Sequence, residues 1–390
     1  MRFLLVVAAG FIWFVAGAGN APGQKKDKEK PPEKKTTITE IGGKSIQQWI
    51  KEIPSKDRSK GENAIRTVLL FHPDQAYEAV PVIMAELKRK DIILDISIRV
   101  NAVIALGVIL GGANDPDSKV IHDAVTLLIR FLDDGQAIVK YRAAQALARI
   151  AERTAAPEAK GALPKLIAMS RDTTTWENRQ AATAAIGFVA RDPKKAPGDE
   201  VFNALIKRLG DTSSQVRLAA IQSLTWIGGP AGPKRQAQLV QDLEKITLKD
   251  PEPTIRIWTH MAIMSIEKKI QKNHLNKICD FLNRKVELAA RIQAAQSLGT
   301  LGPDACNKET VKALCDALKD PEPAVVYWSM FALARFGKHA QAAIKCLQPI
   351  IDDPNQLEAV KVTAQETIDI ILGKEKGKEK QKDKVAPKGK

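Results

Sequence analysis

The chain has 390 residues, with 60 Lys and Arg against 45 Asp and Glu for a net charge of +15, 44% hydrophobic residues and 5% aromatics. So much apolar side chain excludes a chain disordered throughout, and no apolar run reaches 18 residues outside the N-terminus, which excludes a polytopic membrane protein. A globular or repeat protein remains, and at this length repeats have to be sought first.

The N-terminus opens with Met1 and Arg2, continues through thirteen nearly all-apolar residues from Phe3 to Val15, and closes with Ala16-Gly17-Ala18. A basic start, a short apolar core and an A-x-A box together form a secretory signal. Cleavage is expected after Ala18, because the rival site after Ala21 places Pro22 just beyond the cut; a retained N-terminal anchor is the alternative. The expected location is extracytoplasmic, periplasmic or secreted, with no membrane span after cleavage. Residues 19–40 follow as a Lys- and Pro-rich tether, in which Lys25 to Lys35 holds six Lys and three acidic residues. A matching tail fills 373–390, with eight Lys against three acidic residues. Such tails either attract an anionic polymer or act as solubilising polyampholytes, since Lys alternates with acid.

Between the tails one pattern recurs. A basic residue is followed by a small residue three positions on, Leu or Ile at seven and an aliphatic or Phe at ten. The first slot falls at Arg58, Arg99, Lys140, Arg179, Arg217, Arg256, Arg291, Val326 and Lys361, giving nine copies spaced by 35 to 41 residues. Position seven runs Ile65, Leu106, Leu147, Ile186, Leu224, Ile263, Leu298, Leu333, Ile368 without a failure. That spacing marks one face of a helix and codes for helix packing. A second amphipathic segment precedes each copy, as in Thr310 to Leu318, and is followed by a turn such as Lys249-Asp250-Pro251-Glu252-Pro253 or Lys319-Asp320-Pro321-Glu322-Pro323. Proline suits a helix's first turn and Asp caps its open N–H groups, so each copy reads as a helical hairpin.

The pattern D-P-x-x-x-V-R-x-x-A-x-x-A-L-G-x-I-G, clearest around Arg217 and Arg291, resembles the HEAT repeat in its short bacterial form over residues 41–372. The resemblance implies an all-α fold, a right-handed α-solenoid superhelix of about nine hairpins, whose usual work is to bind other proteins. It also implies a structural ladder of Asp with Arg or Lys, carried here by Arg58, Arg99, Lys140, Arg179, Arg217, Arg256, Arg291 and Lys361. Asp134 with Lys140, Asp211 with Arg217 and Asp250 with Arg256 keep a six-residue spacing; Val326 interrupts the series, so no ion pair is expected in the eighth repeat.

On the second helix, positions one, four, five, eight and nine point away from the packing columns and are expected to line the concave face. In the fifth repeat they include Leu218, Ile221 and Trp226; in the sixth Ile257, Met261 and Met264; in the eighth Tyr327, Met330 and Phe331. Read as exposed, these side chains form a Met-containing groove for a partner helix or extended segment; the competing reading buries them against adjacent repeats. Trp258 and Trp328 sit at the edge of the buried face and read as packing.

Catalytic chemistry is not legible. Gly228 to Lys234 lacks the Gly-Lys-Ser/Thr ending of a phosphate loop and reads as an inter-repeat turn. The five His offer no pair at helical spacing, so no metal site or cofactor is expected. Cys279, Cys306, Cys315 and Cys346 read as free thiols, with one disulfide of undetermined connectivity the alternative. Related repeats also occur in phycobilin lyases and DNA glycosylases, but export would part this chain from their substrates. The expectation is a non-enzymatic scaffold that binds a protein partner; the alternative is polyanion binding through the Lys-rich tails and basic edges.

Overall fold

A computed structural model describes residues 38–374, apart from 90–94, 155–156 and 193. The signal segment, the tether up to residue 37 and the tail from residue 375 lie outside the described residues.

The chain enters through a small antiparallel hairpin, β1 (Glu40–Ile41) and β2 (Lys44–Ser45), which the sequence reading did not anticipate. Two-residue strands carry no alternation to read, but the Gly42-Gly43 turn, with φ of +59° and +72°, is the signal that was available. Trp49 on α1 (Ile46–Glu52) donates its Nε1–H to the Ile41 carbonyl at 3.0 Å, and the Lys44 ammonium lies 4.4 Å from its ring centre. The hairpin therefore covers the apolar side of the first helix.

Among the described residues nine helix pairs follow. α1 pairs with α2 (Arg58–Val68). The next leading segment is broken into α3 (Pro73–Ala76), a 3-10 turn and α4 (Val80–Leu87), and is followed by α5 (Ile96–Gly112). Then come α6 (Ser118–Phe131) and α7 (Ala137–Thr154), α8 (Leu163–Met169) and α9 (Trp176–Ala190), and α10 (Asp199–Arg208) and α11 (Ser214–Ile227). The last four pairs are α12 (Pro233–Thr247) and α13 (Pro253–Ile266), α14 (Lys272–Asp280) and α15 (Leu288–Leu301), α16 (Lys308–Ala317) and α17 (Pro323–Phe336), and α18 (Ile344–Asp352) and α19 (Glu358–Ile371). Every second helix coincides with one copy of the sequence pattern, so the fold is an all-α helical-repeat solenoid. The chain divides into two compact units: residues up to Lys249 with Ser265–Glu267, and Asp250–Met264 with the residues from Lys268 onward.

The sequence columns explain the packing. All nine residues at position seven are buried, and so are those at position three, from Gly61 and Ala102 to Ser329 and Ala364. Each Leu or Ile so buried contributes about 1.5–3 kcal/mol, while the small residue lets the neighbouring helix approach. Where that slot holds a hydroxyl it bonds back along its own helix, as from Thr259 Oγ1 to the Ile255 carbonyl at 2.8 Å, so no polar group is buried without a partner there. Asp117 caps α6 by accepting from the amides of Lys119 and Val120, and Gly228 and Gly232 make the turn between α11 and α12.

The charged ladder exists but runs between turns. Arg99 Nε meets Asp134 Oδ2 at 3.1 Å, Arg179 meets Asp211, and Arg291 Nε meets Asp320 Oδ2 at 3.1 Å. In each case the Arg of one repeat engages the Asp ahead of the following helix. The six-residue partner instead offers its backbone: Arg217 donates to the Asp211 carbonyl at 3.0 Å and Arg256 to that of Asp250 at 2.7 Å. The expectation that the eighth repeat lacks an ion pair is corrected, because Asp320 needs only the Arg291 of the repeat before it, whatever stands at Val326. Arg58, Lys140 and Lys361 occupy the same slot, each half-buried.

The cysteine reading also changes. Cys315 on α16 and Cys346 on α18 form a disulfide, their Cα atoms 5.7 Å apart and 31 residues apart in sequence. An apolar helix face suggested a buried free thiol, but it also faces the neighbouring leading helix one repeat on. Cys279 and Cys306 are free.

Candidate binding cleft

The expected Met-containing groove is not an exposed surface. Ile221, Ile257, Met261, Met264 and Met330 are all buried, none more than 4% exposed. The reason is geometric: a second helix packs on its own leading helix and also on the second helices to either side, as α7 does on α5 and α9, and α17 on α15 and α19. Its buried arc is therefore wider than a single stripe, and position four lies inside it, as Val103, Ala144, Thr183, Ile221, Ala295 and Met330 all show. Leu218 and Trp226 are half-buried, while Tyr327 and Phe331, at positions one and five, stay exposed at 49% and 36%. Trp258 and Trp328 are half-buried packing residues of the second unit's core.

A real hollow lies on the corresponding face of the second to fourth repeats, within the first unit. It is a cleft of about 540 Å³ across α5, α7 and α9. Ile104, Gly107 and Val108 come from α5. Tyr141, Gln145, Ala148 and Arg149 come from α7, at positions one, five, eight and nine. Gln180, Ala184 and Phe188 come from α9, at positions one, five and nine. Small residues form the floor and large ones the rim: a Cβ at Gly107 would stand 2.7 Å from the Ala146 Cα, so α5 and α7 approach as closely as backbones can there. Phe188 stacks on Trp226, ring centres 4.6 Å apart, which continues the aromatic rim onto α11. Of the residues named from sequence, Trp226 alone is thus tied to the hollow. The missed signal was smallness at outward positions flanked by Tyr141, Arg149 and Phe188; selecting large apolar residues selected core instead.

The charges around the cleft are mostly positive. Arg142 lies over the Tyr141 ring at 5.1 Å and donates from Nη1 to Gln145 Oε1 at 2.9 Å. Burial lowers Arg149 to about 10 against the pull of Glu152. Burial likewise raises Glu152, although Arg153, Arg149 and Arg191 oppose it. Glu152 and its neighbours Arg153 and Arg191 are exposed, whereas Arg142 and Arg149 are half-buried in the lining, where an added anion is held more strongly than in open water.

The family profile for HEAT repeats matches residues 80–187, 163–264 and 275–367. The chain belongs to the HEAT-repeat family. No curated protein matches it. Similar solved structures include an engineered protein, 19% identical over 84% of this chain and 92% of that chain with a TM-score of 0.46. Another is a designed armadillo repeat protein in complex with the peptide (KR)4, 19% identical over 57% of this chain and 99% of that one, TM-score 0.44. A computationally designed armadillo repeat protein for modular peptide recognition is 22% identical over 57% and 99%, TM-score 0.45.

Elsewhere in the HEAT array, folding brings together two histidines that sequence spacing kept apart. His260 and His274 are buried with Nδ1 atoms 2.9 Å apart, and burial, then His274 and Lys277, lower His260 to about 4. Among the described residues no group of three or more His, Cys, Asp or Glu could hold a metal ion, and no helix is long and apolar enough to cross a membrane.

Proposed function

We propose that this HEAT-repeat protein is an exported, non-enzymatic scaffold that binds a partner protein in the cleft of α5, α7 and α9. The observation that carries the reading is the cleft itself, built from the outward positions of three successive second helices, with an apolar floor and a rim of aromatic and polar side chains. Export is supported by the signal-like N-terminus and by the Cys315–Cys346 disulfide, a bond that persists in oxidising compartments. The polyanion alternative is less favoured along its basic stripe, where Arg99, Arg179 and Arg291 are engaged by carboxylates.

The test is site-specific photocross-linking in an envelope extract, with a benzophenone amino acid at Gln180 in the cleft or at exposed Glu244 on α12. A discrete cross-linked protein from position 180 and not from 244 is expected; equal labelling, or none, would sink the reading. Mass analysis of the exported chain is expected to find Gly19 at its N-terminus.

A further inference from the structure

Resting on that reading, we propose that the cleft accepts an extended acidic segment of its partner, in which apolar side chains alternate with Asp or Glu. The floor sets the apolar half of this requirement. Ala148 and Ala184 leave space beside Ile104, Val108 and Phe188, so a partner side chain enters without displacing the array.

Charge sets the other half. Arg142 and Arg149 line the cleft, and Arg153 and Arg191 act on its one carboxylate, Glu152, from alongside. An incoming carboxylate meets the positive charge of Arg142 and Arg149 in the lining, in a site where burial already works against the charge of Arg149. The chain's own Lys-rich ends are the wrong sign for this site. A nucleic acid is a poorer fit, because its evenly charged backbone needs a row of cations, whereas much of this lining is apolar.

Dimensions favour an extended segment. Three helices packed about 8–10 Å apart span the length of about five or six extended residues. Gln145 and Gln180 also line the cleft, and a side-chain amide can both donate to and accept from an extended backbone.

The experiment is fluorescence anisotropy of the full chain with fluorescein-labelled octapeptides (Glu-Leu)4, (Ser-Leu)4 and (Lys-Leu)4, and with a 12-nucleotide oligo-dT. The acidic peptide is expected to bind at least tenfold tighter than the serine peptide, and the lysine peptide not at all. Arg142→Glu with Arg149→Glu should lose at least tenfold of that affinity, while Arg335→Glu, on exposed α17 surface, should not. Should the arginine variant unfold, Ala148→Trp keeps every charge, fills the hollow and should lose the same binding. Equal affinity for (Glu-Leu)4 and (Ser-Leu)4, or no binding of either, overturns the acidic segment; cross-linking from position 180 would still stand and keep the scaffold reading. Oligo-dT binding that displaces the acidic peptide and survives Ala148→Trp overturns the proposal in favour of a polyanion.

Discussion

Arg179 and Asp211 are joined by two parallel hydrogen bonds, Nε to Oδ2 and Nη2 to Oδ1, both 2.8 Å, although they belong to successive repeats. The same arginine donates from Nη1 to the Asp172 carbonyl at 3.1 Å, in the turn ahead of its own helix. Asp211 Oδ1 in turn accepts from the Ser213 amide at 3.0 Å. One ion pair therefore fixes two turns and the step between two hairpins. Its Asp is only 5% exposed and its Arg 14%.

Removing one partner leaves a charge without compensation in that setting. Asp211→Ala is expected to cost roughly 3–5 kcal/mol in urea unfolding, and Arg179→Met with Asp211→Leu together much less than the sum of the single changes. Additive losses would show that the pair is not coupled. Burial pulls the Asp211 carboxyl up, but Arg179, the Ser213 amide and Arg208 outweigh it and hold it below the usual range. A carboxyl lowered in the folded state gives stability that is present above its unfolded pKa near 4 and lost as the pH falls through the folded value, so this contribution should fail only in acid.

The buried histidines act at milder pH. His260 falls to about 4 in the folded protein against about 6.5 unfolded, so the unfolded chain binds more protons between those values. Stability is expected to be full above about pH 6.5 and to decline as the pH drops towards about 4, read as a falling urea midpoint. His260→Gln should flatten that decline between pH 7 and 5; an unchanged slope would mean the pair does not govern it.

Gly107 tests the floor of the cleft. A larger side chain meets the Ala146 backbone rather than a flexible side-chain end, so Gly107→Leu must push α5 and α7 apart. A loss of about 1–3 kcal/mol and a lower thermal midpoint are expected, with retained helicity in circular dichroism.

The cysteines differ in chemistry. Non-reducing peptide mapping is expected to recover Cys315 linked to Cys346, and reducing this cross-link should cost about 2–4 kcal/mol. Burial pushes the Cys279 thiol up to about 12, so alkylation of the native chain at pH 8 should leave it unmodified until denaturant is added. Rapid native labelling of Cys279 would contradict its burial.

The sequence by itself determined the repeat: nine small-aliphatic copies, eight of them led by a basic residue, placed all nine second helices, because a helix buried against like neighbours must repeat its contact residues at helical spacing. It also named Arg99, Arg179 and Arg291, the arginines that pair with an Asp of the next repeat. Tertiary structure alone decided which Asp each Arg reaches, since the stagger of one hairpin on the next is set by packing and not by spacing within a repeat. It decided the fate of Met261, Met264 and Met330 in the same way: a helix flanked on three sides buries side chains that a one-stripe projection leaves outside. The cleft, the His260–His274 contact and the Cys315–Cys346 bond all join residues from different helices. Their positions follow from how hairpins stack, which no single repeat records.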